Sequence, residues 1–265
     1  EGLIDLRRVI EEKAIASIAI PPLGCGNGGL DWDTVRPLIE QRLGELRDVS
    51  IIVYEPTRKY QNVVKKKGVQ KLTPARALVA DLVRRYGVLG FDCSILEVQK
   101  LAWFLERTSQ HLGLGDPLEL EFGANRYGPY ADRLRHLLNS LDGSYLHCDK
   151  RLADAEPMDI IQFDQQKRAT VEAYLAGPEG KAYRPAAEAV DVLIDGFQSP
   201  LGMEALATVD WLLSRENAKP TVEGIRDGIT RWPGGDSSAE RKQGLFSDKL
   251  INAALDRLKS MLYAA

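Results

Sequence analysis

Residues 58–72 divide this chain into two parts that do not share one pattern of secondary structure. The stretch contains no acidic residue and six basic ones, which are Arg58, Lys59, Lys65, Lys66, Lys67 and Lys71. Like charges repel one another and are costly to bury, so such a stretch is typical of a solvated linker between domains. We therefore predict a first domain at residues 1–57, a basic linker at 58–72 and a second domain at 73–265.

Before the linker, helix and strand patterns alternate. Apolar residues at helical spacing predict an opening helix, and the Ile- and Ala-rich segment from Lys13 to Ile20 predicts a strand. A second helix follows, with Asp31 or Asp33 as its N-cap and Pro37 near its first turn, and residues 49–54 form a second strand. This order predicts an α/β fragment with parallel strands.

After the linker, the pattern predicts a mainly α-helical domain. Thr73-Pro74 opens a helix that Gly87 ends, and Ser94 with Glu97 forms a capping box for the next helix. We expect Pro129 to open a helix that runs to Gly143. The alternation of apolar and acidic residues from Leu118 to Phe122 predicts a short strand. Further helices are expected at residues 165–176, 185–196, 200–214 with Ser199 as its cap, 221–231 and 248–262.

Composition excludes several classes of protein. The 265 residues carry a net charge of −3, with −4 before the linker, +6 within it and −5 after it, so no overall positive field attracts nucleic acid. Cys25, Cys93 and Cys148 are widely spaced, which argues against a disulfide framework and a structural zinc site. No segment is long and apolar enough for a membrane span. We expect a cytoplasmic protein that does not associate with a membrane and binds neither a metal nor a cofactor.

The segment between the first strand and the second helix is rich in glycine. It consists of Gly24, Cys25, Gly26, Asn27, Gly28, Gly29 and Leu30. Glycines let backbone N–H groups approach a ligand, and the N-terminus of the following helix favours negative charge, so this loop is suited to phosphate or pyrophosphate.

Two other interpretations of the glycine loop remain. One is a simple glycine-rich turn. The other is a dinucleotide-binding fingerprint, since Gly24, Gly26 and Gly29 have its spacing and Glu55 stands where a ribose-binding acid is expected. A P-loop NTPase is excluded because no Gly-Lys-Ser or Gly-Lys-Thr follows the glycines.

Both domains resemble a known family. The segment from Ile15 to Tyr54, centred on Pro-Pro-Leu-Gly-Cys-Gly-Asn-Gly-Gly-Leu-Asp-Trp at residues 21–32, resembles the C-terminal part of a macrodomain, the ADP-ribose-binding α/β fold. It is most similar to the DarG-type antitoxins of DarT–DarG toxin–antitoxin systems. Residues 99–105, 126–131 and 137–143 resemble the helical C-terminal domain of the same antitoxins.

The resemblance implies a function for each domain. Residues Gly24 to Leu30 are expected to hold the phosphates of ADP-ribose, and the intact macrodomain to remove ADP-ribose from DNA. The helical domain is expected to bind and inhibit a DarT-type toxin, which ADP-ribosylates single-stranded DNA.

No catalytic residue is assigned. The branch is expected to use a lysine on an early strand, and Lys13 does not match it. Asp31 is interpreted as a helix cap. Because the first residue is Glu rather than Met, we expect the chain to begin inside a longer protein and, by itself, to lack glycohydrolase activity.

The toxin-binding face is predicted from charge and aromatic residues. A toxin that modifies single-stranded DNA needs a basic groove with stacking positions, which an acidic domain can occupy as a DNA mimic. The candidate contact residues are Asp116, Glu119, Glu121, Arg126, Tyr127, Tyr130, Asp149, Asp154, Glu156 and Asp159. Inhibition through a hydrophobic interface away from the groove is the alternative.

Two functions of other classes also remain open. A dinucleotide-dependent enzyme would bind its cofactor at the glycine loop and its substrate on the helical domain. A winged-helix DNA-binding regulator would use residues 221–232, a wing at Gly234-Gly235 and the terminal helix, although the negative charge of the domain argues against DNA.

Overall fold

The computed structural model describes residues 2–24, 30–55, 71–88, 90 and 92–263. The helices are α1 (Gly2–Glu12), α2 (Trp32–Leu43), α3 (Pro74–Val88), α4 (Ile95–His111), α5 (Asp132–Leu141), α6 (Arg168–Ala176), α7 (Arg184–Ile194), α8 (Pro200–Ser214), α9 (Val222–Thr230), α10 (Asp236–Leu245) and α11 (Asp248–Met261). The strands are β1 (Ser17–Ile20), β2 (Ser50–Val53), β3 (Cys93–Ser94), β4 (Gly123–Asn125), β5 (Gly128–Tyr130), β6 (Leu146–Cys148) and β7 (Ile160–Phe163). The fold is mixed α/β with small sheets, and the chain forms two compact units, residues 1–62 and 63–265.

The first unit packs two helices against a two-stranded parallel sheet. β1 and β2 pair in register from Ser17 opposite Ser50 to Ile20 opposite Val53, which confirms the predicted parallel pairing. The buried core consists of Ile10, Ile20, Val35, Ile39 and Leu43. Apolar residues at helical spacing on α1 and α2 therefore meet one face of the sheet.

Pro37 differs from its predicted place. It lies inside α2 rather than in the first turn, because the helix begins at Trp32. A proline at this depth has no N–H to donate to the carbonyl four residues earlier, so α2 continues past a missing hydrogen bond.

The second unit is built around α4. Every residue from Ile95 to Glu106 is buried, and the helix contacts α3, α7, α8 and β5. The predicted capping box is present: the Ser94 Oγ accepts the Glu97 N–H at 3.3 Å, and the Glu97 carboxylate accepts the Ser94 N–H at 2.7 Å. The predicted cap at Ser199 and the helix that follows it are also confirmed.

Small antiparallel sheets complete this unit. β3, β7 and β6 form a three-stranded sheet in that order, and β4 and β5 form a hairpin. The hairpin pairs Gly123 with Tyr130 and Asn125 with Gly128, so its turn lies at Arg126 and Tyr127.

The prediction of a strand from Leu118 to Phe122 was wrong. The Asp116 carboxylate accepts the N–H groups of Leu118 and Glu119, and the Glu106 carboxylate accepts that of Leu120. Side chains thus take the backbone donors that a strand would use, and Glu119 adopts a positive φ of 52°.

The predicted start of α5 at Pro129 was also wrong. Pro129 lies in β5 opposite Ala124, and the helix begins only at Asp132. Gly128 has a φ of 97°, which turns the chain into an extended hairpin before the helix can start.

Two further boundaries differ from the predictions. α3 continues through Gly87 to Val88 instead of ending before that glycine. After Gly234-Gly235 the chain forms the unpredicted helix α10, and the described residues after Phe163 contain no strand that could serve as a wing. The winged-helix interpretation was therefore wrong.

Replacing Ser94 tests the cap of the central helix. Ser94→Ala removes the acceptor of the Glu97 N–H and should lower the free energy of unfolding by about 1 kcal/mol, within a range of roughly 0.5–2. Urea unfolding followed by circular dichroism measures the change. Ser237→Ala, at an exposed position of α10, is the control and should leave stability nearly unchanged. Equal stability of the Ser94→Ala variant and the unsubstituted protein would show that the capping box contributes nothing.

Candidate functional site

A hydrogen bond joins the two ends of the glycine loop. The Leu30 N–H donates to the Gly24 carbonyl oxygen at 2.9 Å, and Gly24 adopts a φ of 72°. A Cβ at Gly24 would lie 2.5 Å from Leu30 Cδ1, but that atom ends an exposed side chain that can move, so it is the positive φ that requires glycine here. The predicted phosphate-binding residues Cys25, Gly26, Asn27, Gly28 and Gly29 lie outside the described residues.

The loop leads from the carboxyl end of β1 to the N-terminus of α2. Asp31 occupies the N-cap position, as predicted, and its carbonyl oxygen accepts the N–H groups of Thr34 and Val35. Its carboxylate makes no capping hydrogen bond, so that part of the cap prediction was wrong. The positive end of a helix dipole at this point favours an anionic ligand.

Glu55, the residue that a dinucleotide site would use, is paired with an arginine. Its carboxylate accepts a hydrogen bond from Arg36 Nη1 at 2.5 Å, and Arg36 also contacts Glu40 at 2.8 Å. These side chains are more than half exposed, so the pairs contribute little stability.

In the second unit, the structure joins two of the segments that carry the family resemblance. Gln99 on α4 forms two hydrogen bonds with the backbone of Ala131: its Nε2 donates to the carbonyl at 3.1 Å, and its Oε1 accepts the N–H at 2.9 Å. The next residue, Lys100, donates from Nζ to the Pro129 carbonyl oxygen at 2.6 Å. α4 therefore holds the second strand of the hairpin through side chain to backbone bonds.

Lys100 belongs to a buried group of charged side chains that sequence reasoning missed. One carboxylate oxygen of Glu204 accepts hydrogen bonds from Lys242 Nζ at 2.7 Å and from Arg241 Nη1 at 2.6 Å. Lys100, Glu204 and Lys242 are each at most 1% exposed. Burial, together with the positive charge of Lys242, lowers the pKa of Lys100 to about 7, while Glu204 opposes that shift.

The hairpin fits closely over this group. A Cβ at Gly128 would lie 3.2 Å from Thr208 Oγ1 and 3.5 Å from Lys100 Cε. Trp232 Nε1 donates to the Asn125 carbonyl oxygen at 2.9 Å. The tip is therefore anchored on both strands, one by α4 and one by Trp232.

Cationic groups lie over the aromatic residue at the hairpin tip. The guanidinium carbon atoms of Arg126 and Arg241 are 5.4 and 4.8 Å from the centre of the Tyr127 ring. Arg126 is exposed, whereas Tyr127 and Tyr130 are half-buried. Cation–π contacts of this kind hold an aromatic ring in a defined place.

The acidic residues predicted for the toxin interface fall into two segments. Asp116, Glu119 and Glu121 are exposed on the loop before β4. The others, Asp149, Asp154, Glu156 and Asp159, lie between β6 and β7.

Several of these carboxylates already have partners within the protein. Lys150 Nζ donates to Asp159 at 2.8 Å, and the resulting hydrogen bond holds the pKa of Asp159 below its usual value. Asp154 contacts Arg151 at 3.3 Å. The segment between β6 and β7 is therefore partly neutralised.

Glu106 is a second buried group that sequence reasoning missed. It accepts the Leu120 N–H at 3.1 Å, and burial followed by the negative charge of Asp116 raises its pKa to about 8. This carboxyl group supports the loop that carries Glu119 and Glu121.

Two features are absent from the described part of the chain, a cluster of metal-ligating side chains and a membrane-spanning helix. That part holds no group of three His, Cys, Asp or Glu side chains arranged for a metal ion. None of its helices combines the length and the apolar character that a bilayer crossing needs.

Comparison with known proteins identifies the family. The DNA ADP-ribosyl glycohydrolase of Thermus aquaticus is 39% identical over 260 residues, which cover 97% of this chain and 67% of the relative. The chain belongs to the DNA ADP-ribosyl glycohydrolase family. The Mycobacterium tuberculosis protein of the same name is 34% identical over 273 residues, or 97% of this chain and 72% of that relative. No protein-family model matches the chain.

A shorter match is to a protein with two named parts. The DNA ADP-ribosyl transferase–DNA ADP-ribosyl glycohydrolase fusion protein of Thermosipho africanus is 40% identical over 57 residues, which cover 20% of this chain and 14% of the fusion. That protein joins, by its name, the enzyme that adds ADP-ribose to DNA and the enzyme that removes it.

Lys100 should make the free energy of unfolding depend on pH. Between pH 7 and about 10, Lys100 is protonated in the unfolded chain and largely neutral in the folded one, so it makes stability rise with pH in this window. Glu204 and Lys242, whose charges act on Lys100, are present in both proteins of the comparison. Lys100→Met should remove up to about 1.4 kcal/mol of this rise per pH unit, the value for one proton.

The measurement is urea unfolding of both proteins from pH 6.5 to 9.5. The stability of the unsubstituted protein relative to Lys100→Met should increase steadily across the series. Parallel stability curves would mean that Lys100 keeps its ordinary pKa in the folded protein.

Proposed function

We propose that this chain is part of a DarG-type antitoxin in which two units carry out different tasks. Residues 1–57 form the C-terminal part of a macrodomain and hold the phosphates of ADP-ribose, which the intact macrodomain removes from DNA. Residues 73–265, beyond the basic linker at 58–72, bind and inhibit a DarT-type DNA ADP-ribosyltransferase. The observation that supports the proposal best is the alignment of named DNA ADP-ribosyl glycohydrolases along 97% of the chain, which spans both units.

The phosphate-binding task rests on the loop between β1 and α2. Gly24 and Leu30 close the base of the loop, and the N-terminus of α2 follows directly. Backbone N–H groups in such a loop stabilise negative charge without a cation. ADP-ribose is the ligand we propose because relatives are named for its removal from DNA.

The inhibitory task rests on the helical unit. An enzyme that acts on single-stranded DNA binds phosphates with basic side chains and bases by stacking. We propose that carboxylates from Glu119, Glu121 and the segment between β6 and β7 occupy phosphate positions, while Tyr127 takes the place of a base. The fusion relative supports a functional link between transferase and glycohydrolase. A hydrophobic interface elsewhere on the unit is the competing mode.

The glycine loop is tested at its described end. Gly24→Ala places an L side chain at a positive φ that such residues rarely adopt, and a Cβ against Leu30, so it should distort the loop and weaken ADP-ribose binding at least about tenfold. Gly2→Ala, where a Cβ meets no atom within 4 Å, is the control in the same unit. Calorimetric titration with ADP-ribose measures both. Unchanged affinity of Gly24→Ala, in a protein that binds ADP-ribose, would rule out this loop as the phosphate site.

The inhibitory mode is tested by competition. If the helical unit occupies the DNA groove, single-stranded DNA should displace the chain from a DarT-type transferase, and the association rate should fall as salt rises. Surface-bound transferase, with the chain in solution, gives both readouts. A complex that persists in saturating DNA and associates at the same rate in low and high salt would contradict DNA mimicry, and a complex that never forms would contradict the antitoxin proposal itself.

A further inference from the structure

The stability of the fold does not by itself explain the buried ionisable side chains of Lys100, Glu204 and Lys242 beneath the hairpin. Lys100 and Lys242 are both buried, Lys242 is bonded to the buried carboxylate of Glu204, and the charge of that carboxylate also acts on Lys100. Burying ionisable side chains away from water is costly, and apolar residues of similar size often give equal or greater stability. A methionine at position 100 would fill the same space without that cost. The lysine therefore contributes something other than packing.

The hydrogen bonds of this group converge on the hairpin. Lys100 donates to the Pro129 carbonyl oxygen in β5. Arg241, which is held by Glu204, lies over the Tyr127 ring at the tip. Gly128, between these two points, combines a φ of 97° with a tight approach to Thr208 Oγ1, which would lie 3.2 Å from a Cβ, and both features favour glycine. The group thus fixes both the strand and the aromatic residue that the strand presents.

The adjacent hydroxyl group supports a role in positioning rather than in filling space. Thr208 Oγ1 is buried, has no hydrogen-bond partner, and lies next to the place where a Gly128 Cβ would be. The hairpin therefore rests on polar groups whose bonds are not all satisfied, which is a costly arrangement. Proteins keep such costs where they preorganise a binding site.

We propose that Lys100 is a positioning residue for partner binding, which acts through the Pro129 carbonyl to hold the hairpin so that Tyr127 meets the partner in one fixed orientation. This inference rests on the proposed function, because the partner is the DarT-type transferase. It assigns the hairpin tip, rather than the acidic segments alone, to the interface.

A double-mutant cycle tests the proposal. The variants of the full chain are Lys100→Met, Tyr127→Ala and the pair, and the probe is a catalytically inactive DarT-type transferase. If Lys100 acts through Tyr127, each single change should speed dissociation of the complex about tenfold or more, and the pair should dissociate no faster than Tyr127→Ala. Preorganisation affects dissociation more than association, so the dissociation rate is the readout.

A matched control separates positioning from general destabilisation. Thr108→Val removes a buried hydrogen bond from α4 to the Ala186 carbonyl, far along the helix from the hairpin contact. It should change dissociation less than about twofold and combine additively with Tyr127→Ala. Circular dichroism at the measuring temperature establishes that each variant is folded, and Lys100→Gln replaces Lys100→Met in the cycle if the latter does not fold.

Three results would overturn the inference. The first is an unchanged dissociation rate for Tyr127→Ala, a variant that leaves the buried core as it is. The second is additivity of the Lys100 and Tyr127 changes, and the third is an equal effect of Thr108→Val. Failure of the unsubstituted chain to bind the transferase is a separate outcome, which overturns the proposed function as well.

Discussion

Burial of α4 from Ile95 to Glu106 is the constraint on which the second unit depends. Water does not reach the polar side chains of this stretch, so they bond to partners within the protein. Glu97 bonds with Ser94 and Tyr86, Gln99 with Ala131, and Trp103 donates to Asp210 on α8. These partners come from separate segments of the chain. The helix therefore sets the position of α3, α8 and the hairpin through directional bonds as well as apolar contact.

The accuracy of the sequence predictions follows the range of the interactions involved. The capping box at Ser94 and the cap at Ser199 were predicted correctly because a cap is completed within four residues. Residues 118–122 were misassigned although Asp116, which accepts two of their N–H groups, lies close in sequence. The bonds of the Leu120 N–H to Glu106 and of the Pro129 carbonyl oxygen to Lys100 join groups that are distant in sequence. Local periodicity contains no information on such partners. Helix α10 was missed because its surface is mostly polar and its buried face consists of small residues and one lysine.

The candidate site shows the same limit. The resemblance marked residues 99–105 and 126–131 as separate motifs, and only the fold shows that the first motif holds the second. Glu204 and Lys242 passed unnoticed because lysine and glutamate on helices are usually exposed. One sequence signal was available, because the spacing of Ser238, Ala239 and Lys242 places them on a single helix face. The structure shows that this face is the buried one. The described residues exclude the centre of the glycine loop, so its phosphate-binding role stays a prediction.

Charge alone does not define the partner face, because acidic side chains also serve the fold. Asp116 and Asp159 accept backbone N–H groups of their own loops, which leaves fewer carboxylate oxygens for a partner. Rigidity is the better criterion, since a surface that is fixed before binding loses less entropy on association. The loop that carries Glu119 and Glu121 continues directly into the hairpin that carries Tyr127, and the two are held by Glu106 and Lys100 of one buried helix. Acidic and aromatic candidates on this continuous segment therefore share a single rigid support. The segment between β6 and β7 is bonded to the same helix at its N-terminal end, where the N–H groups of Ile95 and Leu96 donate to the carbonyl oxygens of Asp159 and Pro157.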